Sequence, residues 1–189
     1  MKEQLRHTLL SLRKNLRETE VQAHSRGIVQ RLWSLQVFSH ASIIMHYISY
    51  DNEVFTHDLI QDCLAKGKTV VVPVTHTQSK TVTPSILRYW EDLQKGPYGI
   101  LEPTKEVQEE ISLGQIDVFL VPGVGFDRKG HRMGHGMGYY DTLLQQAVDI
   151  PKIGLAFSFQ IVDQVPTEAH DIAMDFVVTE EEIIRCTSF

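Results

Sequence analysis

Glycine, guanidinium and carboxylate, three groups that together can hold a phosphate ester, crowd one stretch of this chain, PGVGFDRKGHRMGHGMGYYD at 122–141. Six of the twelve glycines fall in it, at 123, 125, 130, 134, 136 and 138. Backbone N–H groups come close to an anion only where no side chain intervenes, so Gly134, Gly136 and Gly138 offer a bare cradle. Arg132 adds a planar fork of donors that can grip phosphate with two parallel hydrogen bonds. Asp141 supplies a hard oxygen ligand for a magnesium ion that phosphate oxygens would share. The chemistry implied is that of a nucleotide site.

The spacing matches neither standard phosphate motif. Gly125 and Gly130 stand as in GxxxxG, but His131 and Arg132 occupy the places that a P-loop gives to Lys and to Ser or Thr; the run from Gly134 is GxGxG, not GxGxxG. A long turn whose glycines only satisfy unusual dihedrals would look the same, so the place of the loop in the fold has to decide. His131 and His135 share an HxxxH spacing, yet zincin geometry needs a Glu beside the first His on an unbroken helix, and glycines intervene here. Asp127 ahead of Gly130 suits magnesium binding and an Asx turn equally well, and Cys63 suits apolar packing on its helix. Trp33, Trp90 and Tyr98 are candidates for stacking on a flat ring, with core packing the better explanation for Trp33.

These groups need elements to position them. Leu5, Leu9, Leu12 and Leu16 recur at helical spacing, and Thr19 with Gln22 resembles a capping box that opens a second helix toward Trp33. SIIMHYI (42–48) reads as a strand, Thr56 is placed to cap a helix that Gly67 closes, and TVVVPV (69–74) is the β-branched run of a buried parallel strand. The segment 75–116 is polar and turn-rich. DVFLVP (117–122) is a buried strand that delivers the chain straight into the glycine loop; YYDTLLQQAV (139–148) reads as the helix after it, and KIGLAF (152–157) and DFVVTE (175–180) as further short strands. This alternation predicts a three-layer α/β/α fold with a mainly parallel central sheet and a helical N-terminus, residues 1–189 forming one domain. Ligands of such sheets gather at the carboxyl ends of the strands, which is where DVFLVP releases the loop.

Composition narrows the classes. The 189 residues are 42% hydrophobic and 22% charged, an ordinary globular balance. A formal net charge of −6 argues against a nucleic acid or a membrane surface as partner. Cys63 and Cys186 form no CxxC and fit a reducing compartment. Charges interrupt the first residues every few positions, so no signal-peptide core forms, and there is no apolar run of about 18 residues. The expectation is a cytoplasmic monomer.

Projected at about 100° per residue, Lys2, Arg6, Arg13 and Arg17 of the first helix fall in one stripe beside the leucines. A solvated charge stripe explains Arg17, whereas for Lys2 and Arg6 a ligand role is as good a reading. Taken together, that basic helix, YISYDNEVFT (47–56), the pair Glu102-Pro103, VPGVGFDRKGHRMGHGMGYYD (121–141) and QVPTEAHDIAMDFVVTE (164–180) resemble, in this order, the motifs of the 5-formyltetrahydrofolate cyclo-ligase, or methenyltetrahydrofolate synthetase, family. The resemblance implies that Lys2 and Arg6 hold ATP phosphates, that Arg132, Gly134, His135, Gly136, Met137, Gly138, Tyr139 and Tyr140 wrap ATP, and that Asp141 and Asp171 ligate Mg²⁺. By the same resemblance Ile48, Glu53 and the stretch His135, Gly136, Met137, Gly138 and Tyr139 line a folate site. There Glu53 is a hydrogen-bond partner for the pterin, and Tyr139 orients the substrate. Asp171 is expected to reach the metal, not a cluster of His170, Asp171 and Asp175.

The implied substrate is 5-formyltetrahydrofolate, with or without a polyglutamate tail. Its formyl oxygen is a poor leaving group, so ATP would phosphorylate it, N10 would attack, and loss of phosphate would leave the 5,10-methenyl product. No protein nucleophile is demanded, and Arg132, Tyr139 and Glu53 are the expected catalytic groups. Three positions depart from the family's usual pattern: Met137 stands where Lys or Gly is common, His135 at a variable position where Tyr or Arg occurs, and Thr142 where many bacterial relatives have Arg. Other readings stay open. They are an ATP-dependent relative acting on another formylated or amide substrate, a non-catalytic nucleotide- or RNA-binding module, and a sugar-phosphate isomerase or acyl-transfer enzyme on a similar fold.

Overall fold

The structure is a computed structural model and describes residues 2–168 and 171–186. Its helices are α1 (Lys2–Lys14), α2 (Glu18–Ser34), α3 (Gln36–Ser39), α4 (His57–Ala65) and α5 (Tyr139–Gln145). The strands are β1 (Ile43–Met45), β2 (Thr69–His76), β3 (Thr81–Leu87), β4 (Leu93–Lys95), β5 (Leu101–Pro103), β6 (Val118–Pro122), β7 (Gly125–Asp127), β8 (Arg132–Met133), β9 (Lys152–Leu155), β10 (Ile161–Val162), β11 (Phe176–Val178) and β12 (Ile183–Arg185). Seven of them form the central sheet in the order β12-β11-β9-β6-β1-β2-β3. The inner five run parallel, and β3 and β12 close the two edges antiparallel.

Both faces of this sheet are covered, which is why its strands read as continuous apolar runs. Side chains alternate between the two sides. Ile44, Val70, Val72, Val118 and Leu120 enter one core with Ile28 and Leu32 of α2 and Leu59 and Ile60 of α4. Met45, Val71, Phe119 and Val121 enter the other with Leu143 and Leu144 of α5. The mainly parallel sheet with helices on both faces is the expected α/β fold. A second, smaller sheet, β10-β7-β8, follows directly from β6, and α1 packs on it through Leu5 and Leu9 against Val124, Met133 and Val165. The N-terminal helix is thereby laid beside the glycine loop that joins β8 to α5.

Three local expectations are corrected. The segment 75–116 is not all turn: β2 runs on to His76 and folds back into β3, with Pro73 opposite Pro84, and β4 and β5 form a hairpin beyond. An edge strand has one unpaired side, so proline and polar residues are tolerated and the apolar run disappears. Thr56 stands at the N-terminal cap position of α4, but its side chain does not cap the helix; its hydroxyl donates to the Tyr47 carbonyl and accepts from the Ser49 N–H. The second helix starts at Glu18, ahead of Thr19, and the Arg17 N–H donates to the Glu20 carboxylate at 2.9 Å.

His46 follows β1, is fully buried, and neither ring nitrogen has a hydrogen-bond partner among the described residues. Burial pushes its pKa down from 6.5 to about 3. The unfolded chain therefore takes up a proton that the folded one refuses, so stability is full above pH 6.5 and drops as pH falls toward 3. The slope contributed is about 1.4 kcal/mol per pH unit. His46→Leu is expected to remove this contribution, measured by urea unfolding at about pH 7 and about pH 5; an unaltered pH dependence would assign the proton uptake to another group.

Candidate active site

Of the exits at the carboxyl ends of the five parallel strands, three converge. Residues 46–53 follow β1, β2 bends toward β3, and the stretch 122–141 follows β6. Between them lies a cleft enclosing about 840 Å³ of space continuous with solvent. Its walls are mostly apolar or aromatic, including Tyr47, Ile48, Pro73, Ile100 and Met137, with Glu53, Thr75, His135, Arg132 and Asp141 as the polar and charged exceptions. A second cavity, of about 660 Å³, is lined by Lys2, Arg6, Arg132, Asp141, Glu168 and Asp171. Gly134, Gly136 and Gly138 line both cavities, as do Arg132 and Asp141. The glycine loop is thus the partition between an apolar cleft and a charged one.

The glycines of the stretch divide by purpose. Gly123 makes room for Phe126, whose ring would lie 2.5 Å from a Cβ there, and a Cβ at Gly130 would run into the Met174 carbonyl oxygen. Those two serve packing. Gly136 and Gly138 have φ of 93° and 78°, left-handed values that other residues adopt at a cost. The loop is held from α1, because Arg6 Nε donates to the Gly134 carbonyl at 3.0 Å. The helix that follows is shorter than expected, ending at Gln145, so its dipole is small and the side-chain cations carry most of the positive field.

Arg132 is the central cation. Its side chain is 6% exposed, its Nη1 donates to the Pro122 carbonyl at 3.2 Å, its Nη2 donates to Asp141, and its guanidinium sits 5.8 Å over the Tyr140 ring. Across the second cavity Lys2 faces Glu168 at 3.9 Å, and Asp171 accepts the Glu168 N–H at 2.8 Å. Glu53 is 4% exposed in its side chain; its Oε1 lies 3.7 Å from Arg13 Nη1 and 3.4 Å from His135 Nε2, and its Oε2 accepts the Tyr50 N–H at 3.2 Å. At the mouth of the first cleft the Tyr98 and Tyr139 hydroxyls meet at 3.1 Å, a hydrogen bond that raises the Tyr139 pKa. Tyr140 is partly buried with its hydroxyl shut off from solvent, which pushes its phenol well above the usual range, and that hydroxyl has no partner among the described residues. These phenols are neutral hydrogen-bonding groups.

The residues expected from sequence are brought together in two sets. Ile48, Glu53, His135, Met137, Tyr139 and Tyr140 line the first cleft, and Lys2, Arg6, Arg132, Asp141 and Asp171 the second. The histidine pair is split. His131 Nδ1 pairs with Asp127, whose carboxylate also accepts the Lys129, His131 and Val165 N–H groups, while His135 faces Glu53. Trp33 packs edge-on against Phe38 and Trp90 against His57, away from either cavity, whereas Tyr98 is on the first. Asp175 accepts the Lys152 N–H beside the sheet, and His170 lies outside the described residues. Sequence reasoning missed Tyr47, Tyr50, Thr75 and Val82 on the cleft and the burial of Arg13. The first two lie in YISYDNEVFT, and the last pair would have required recognising the β2–β3 turn.

Among the described residues no group of three or more His, Cys, Asp and Glu forms a metal cluster. Asp141 and Asp171, two of the three carboxylates that line this cavity beside three cations, fit a magnesium ion, which takes one or two protein carboxylates and completes its shell with phosphate oxygens and water.

Comparison with known proteins shows the family. A family model described as the 5-formyltetrahydrofolate cyclo-ligase family matches residues 1–180. The 5-formyltetrahydrofolate cyclo-ligase of Haemophilus influenzae is 33% identical over 92% of this chain and 94% of its own length, and that of Saccharomyces cerevisiae is 35% identical over 84% and 85%. Among solved structures, the 5,10-methenyltetrahydrofolate synthetase of Aquifex aeolicus superposes with a TM-score of 0.87 at 33% identity, covering 100% of this chain and 94% of that one. The synthetase of Mycoplasma pneumoniae gives 0.75 at 26% identity, with coverage of 95% and 98%. Matched by its family model over residues 1–180 and by relatives of one-third identity along nearly their whole length, the chain belongs to the 5-formyltetrahydrofolate cyclo-ligase family.

Proposed function

We propose that this enzyme converts 5-formyltetrahydrofolate to 5,10-methenyltetrahydrofolate at the expense of ATP, with Mg²⁺, releasing ADP and phosphate, and that it does so as a monomer. The observation that carries this reading is the shared glycine wall. A flat, largely apolar ring system suits the first cleft and a triphosphate the second, and bare backbone between them lets the terminal phosphate reach a group on the ring. Two buried polar groups of the first cleft, the Tyr140 hydroxyl and His135 Nε2, lack hydrogen bonds, which costs about 1–3 kcal/mol each until a polar ligand supplies them.

The chain's own residues then take distinct parts. Lys2 and Arg6 hold the triphosphate, and Arg6 does so while fixed to the Gly134 carbonyl. Arg132, already desolvated, acts on the γ-phosphate in surroundings where its field is little screened. Asp141 and Asp171 would hold Mg²⁺, which would supply neutralisation of the phosphate charge. Glu53 and Ile48 place the ring, and Tyr139 orients the formyl group.

With the reactants so placed, the formyl oxygen attacks the γ-phosphorus and the bond to the bridging oxygen of ADP breaks. N10 then attacks the formyl carbon, the carbon–oxygen bond breaks with departure of phosphate, and N10 gives its proton to solvent. Incubating the protein with Mg·ATP and 5-formyltetrahydrofolate is expected to produce the methenyl chromophore with one ADP per product. ADP release with another formylated or amide compound but not this one would move the assignment to a different substrate, and nucleotide binding without any turnover would make the protein a binding module.

A further inference from the structure

The first helix lines the second cavity through Lys2 and Arg6, and its far end carries a charge that the reaction above leaves unused. Arg13, in the last turn of α1, is 2% exposed, and neither Nη1 nor Nη2 has a hydrogen-bond partner among the described residues. A buried guanidinium is costly unless anions face it, and two do: Glu53 Oε1 at 3.7 Å and Asp51 Oδ2 at 3.9 Å. The Asp51 side chain is 60% exposed and therefore screened by solvent, whereas that of Glu53 is 4% exposed. Glu53 is the carboxylate whose charge depends most on Arg13.

The backbone around it is fixed to the same helix end. Asp51 and Asn52 have φ of 47° and 56°, and the Asn52 side-chain amide donates to the carbonyls of Arg13 at 3.2 Å and Leu16 at 3.0 Å. The turn that presents Glu53 is thus stapled to the C-terminal end of α1, while Arg6 near the other end is tied to the glycine loop. From inside the cleft, His135 approaches the same Oε1 that faces Arg13.

We propose that Arg13 is a positioning residue for folate recognition: its buried guanidinium compensates the Glu53 charge and holds that carboxylate toward the first cleft, where it meets the donors of the substrate's ring. The proposal rests on the reading of Glu53 as a folate contact given above. If Arg13 only filled space beneath α1, a long apolar side chain would serve as well.

The test compares Arg13→Met, Arg13→Lys, Glu53→Gln and the double variant Arg13→Met/Glu53→Gln, measuring kcat, KM for 5-formyltetrahydrofolate, KM for ATP and Tm. Arg13→Met is expected to raise the folate KM by about 10- to 100-fold while the ATP KM stays within about twofold, and Arg13→Lys to recover part of the loss. In the Glu53→Gln background Arg13→Met is expected to add nothing, because the charge it compensates is gone. A lowered Tm with an unmoved folate KM, an equal rise of both KM values, or additive effects in the double variant would overturn the proposal. Should Arg13→Met fail to fold, Arg13→Lys alone and with Glu53→Gln decides by the same criteria. Glu53→Gln tests the underlying reading separately: an unmoved folate KM there removes Glu53 from the folate site and the proposal with it, whereas a raised value there beside an unmoved one in Arg13→Met overturns the role of Arg13 alone.

Discussion

Arg132→Met is expected to lower kcat by about 10³-fold or more while leaving the fold intact. The side chain is 6% exposed, and Met fills most of the same volume, so little cavity is created. What is lost is charge. Asp141 keeps access to water, with 43% of its side chain exposed, so removing its partner leaves no fully buried unpaired carboxylate and costs little stability. The catalytic loss is larger because negative charge builds on the transferring phosphoryl group where solvent is excluded, and fixed donors there are worth far more than in water. Arg132→Lys is expected to recover only part of the rate, since an ammonium cannot donate to Pro122 and a phosphate oxygen in the same planar arrangement. Steady-state rates with both substrates saturating, beside a thermal melt, check this. A kcat within about threefold of the parent would remove Arg132 from the chemical step.

The same residue shows how far the sequence could be read. Arg132 stood out as a candidate phosphate-binding residue because it follows a strand of unmistakable type: VFLVP is buried on both faces, which leaves no polar position to blur it. TVVVPV was legible for the same reason. The strand TVTPSIL was not, because β3 lies at the edge of the sheet and carries proline and threonine in place of a continuous apolar run. With it went the cleft residues near the β2–β3 turn, Thr75 and Val82. The charge stripe of α1 was visible as a spacing, but spacing cannot tell Arg13, 2% exposed between two carboxylates, from Arg17, 77% exposed and paired with Glu20. That difference arises from a turn about forty residues away in sequence, whose left-handed Asp51 and Asn52 no local pattern announces. Likewise nothing in local spacing joins Lys2 to Asp171. Their meeting on one cavity was an expectation of the family resemblance, and the fold supplies the physical route by laying α1 on the small sheet beside the glycine loop.

Asp141→Asn is expected to reduce kcat at modest Mg²⁺ by about 100-fold and to raise the Mg²⁺ concentration needed for half-maximal rate by about tenfold or more, a tenfold change being about 1.4 kcal/mol of binding. Two losses are combined in this substitution, since Asp141 both faces the charged cavity and accepts a hydrogen bond from Arg132. The magnesium titration separates them. Asparagine keeps an oxygen that can accept from Arg132, so the guanidinium stays in place, but it lacks the charge that a hard cation requires. If Asp141 is a metal ligand, excess Mg²⁺ restores much of the rate and the ATP KM falls toward the parent value as the metal concentration rises. If its only work is to orient Arg132, the Mg²⁺ requirement stays where it was and the loss appears in kcat at every concentration. Asp171→Asn provides the internal comparison. Asp171 accepts a backbone N–H from Glu168, and no ion pair with Arg132 is seen, so its substitution is expected to move the Mg²⁺ requirement without the separate effect on phosphoryl transfer. A Mg²⁺ requirement unchanged in both variants would take the metal away from these two carboxylates altogether.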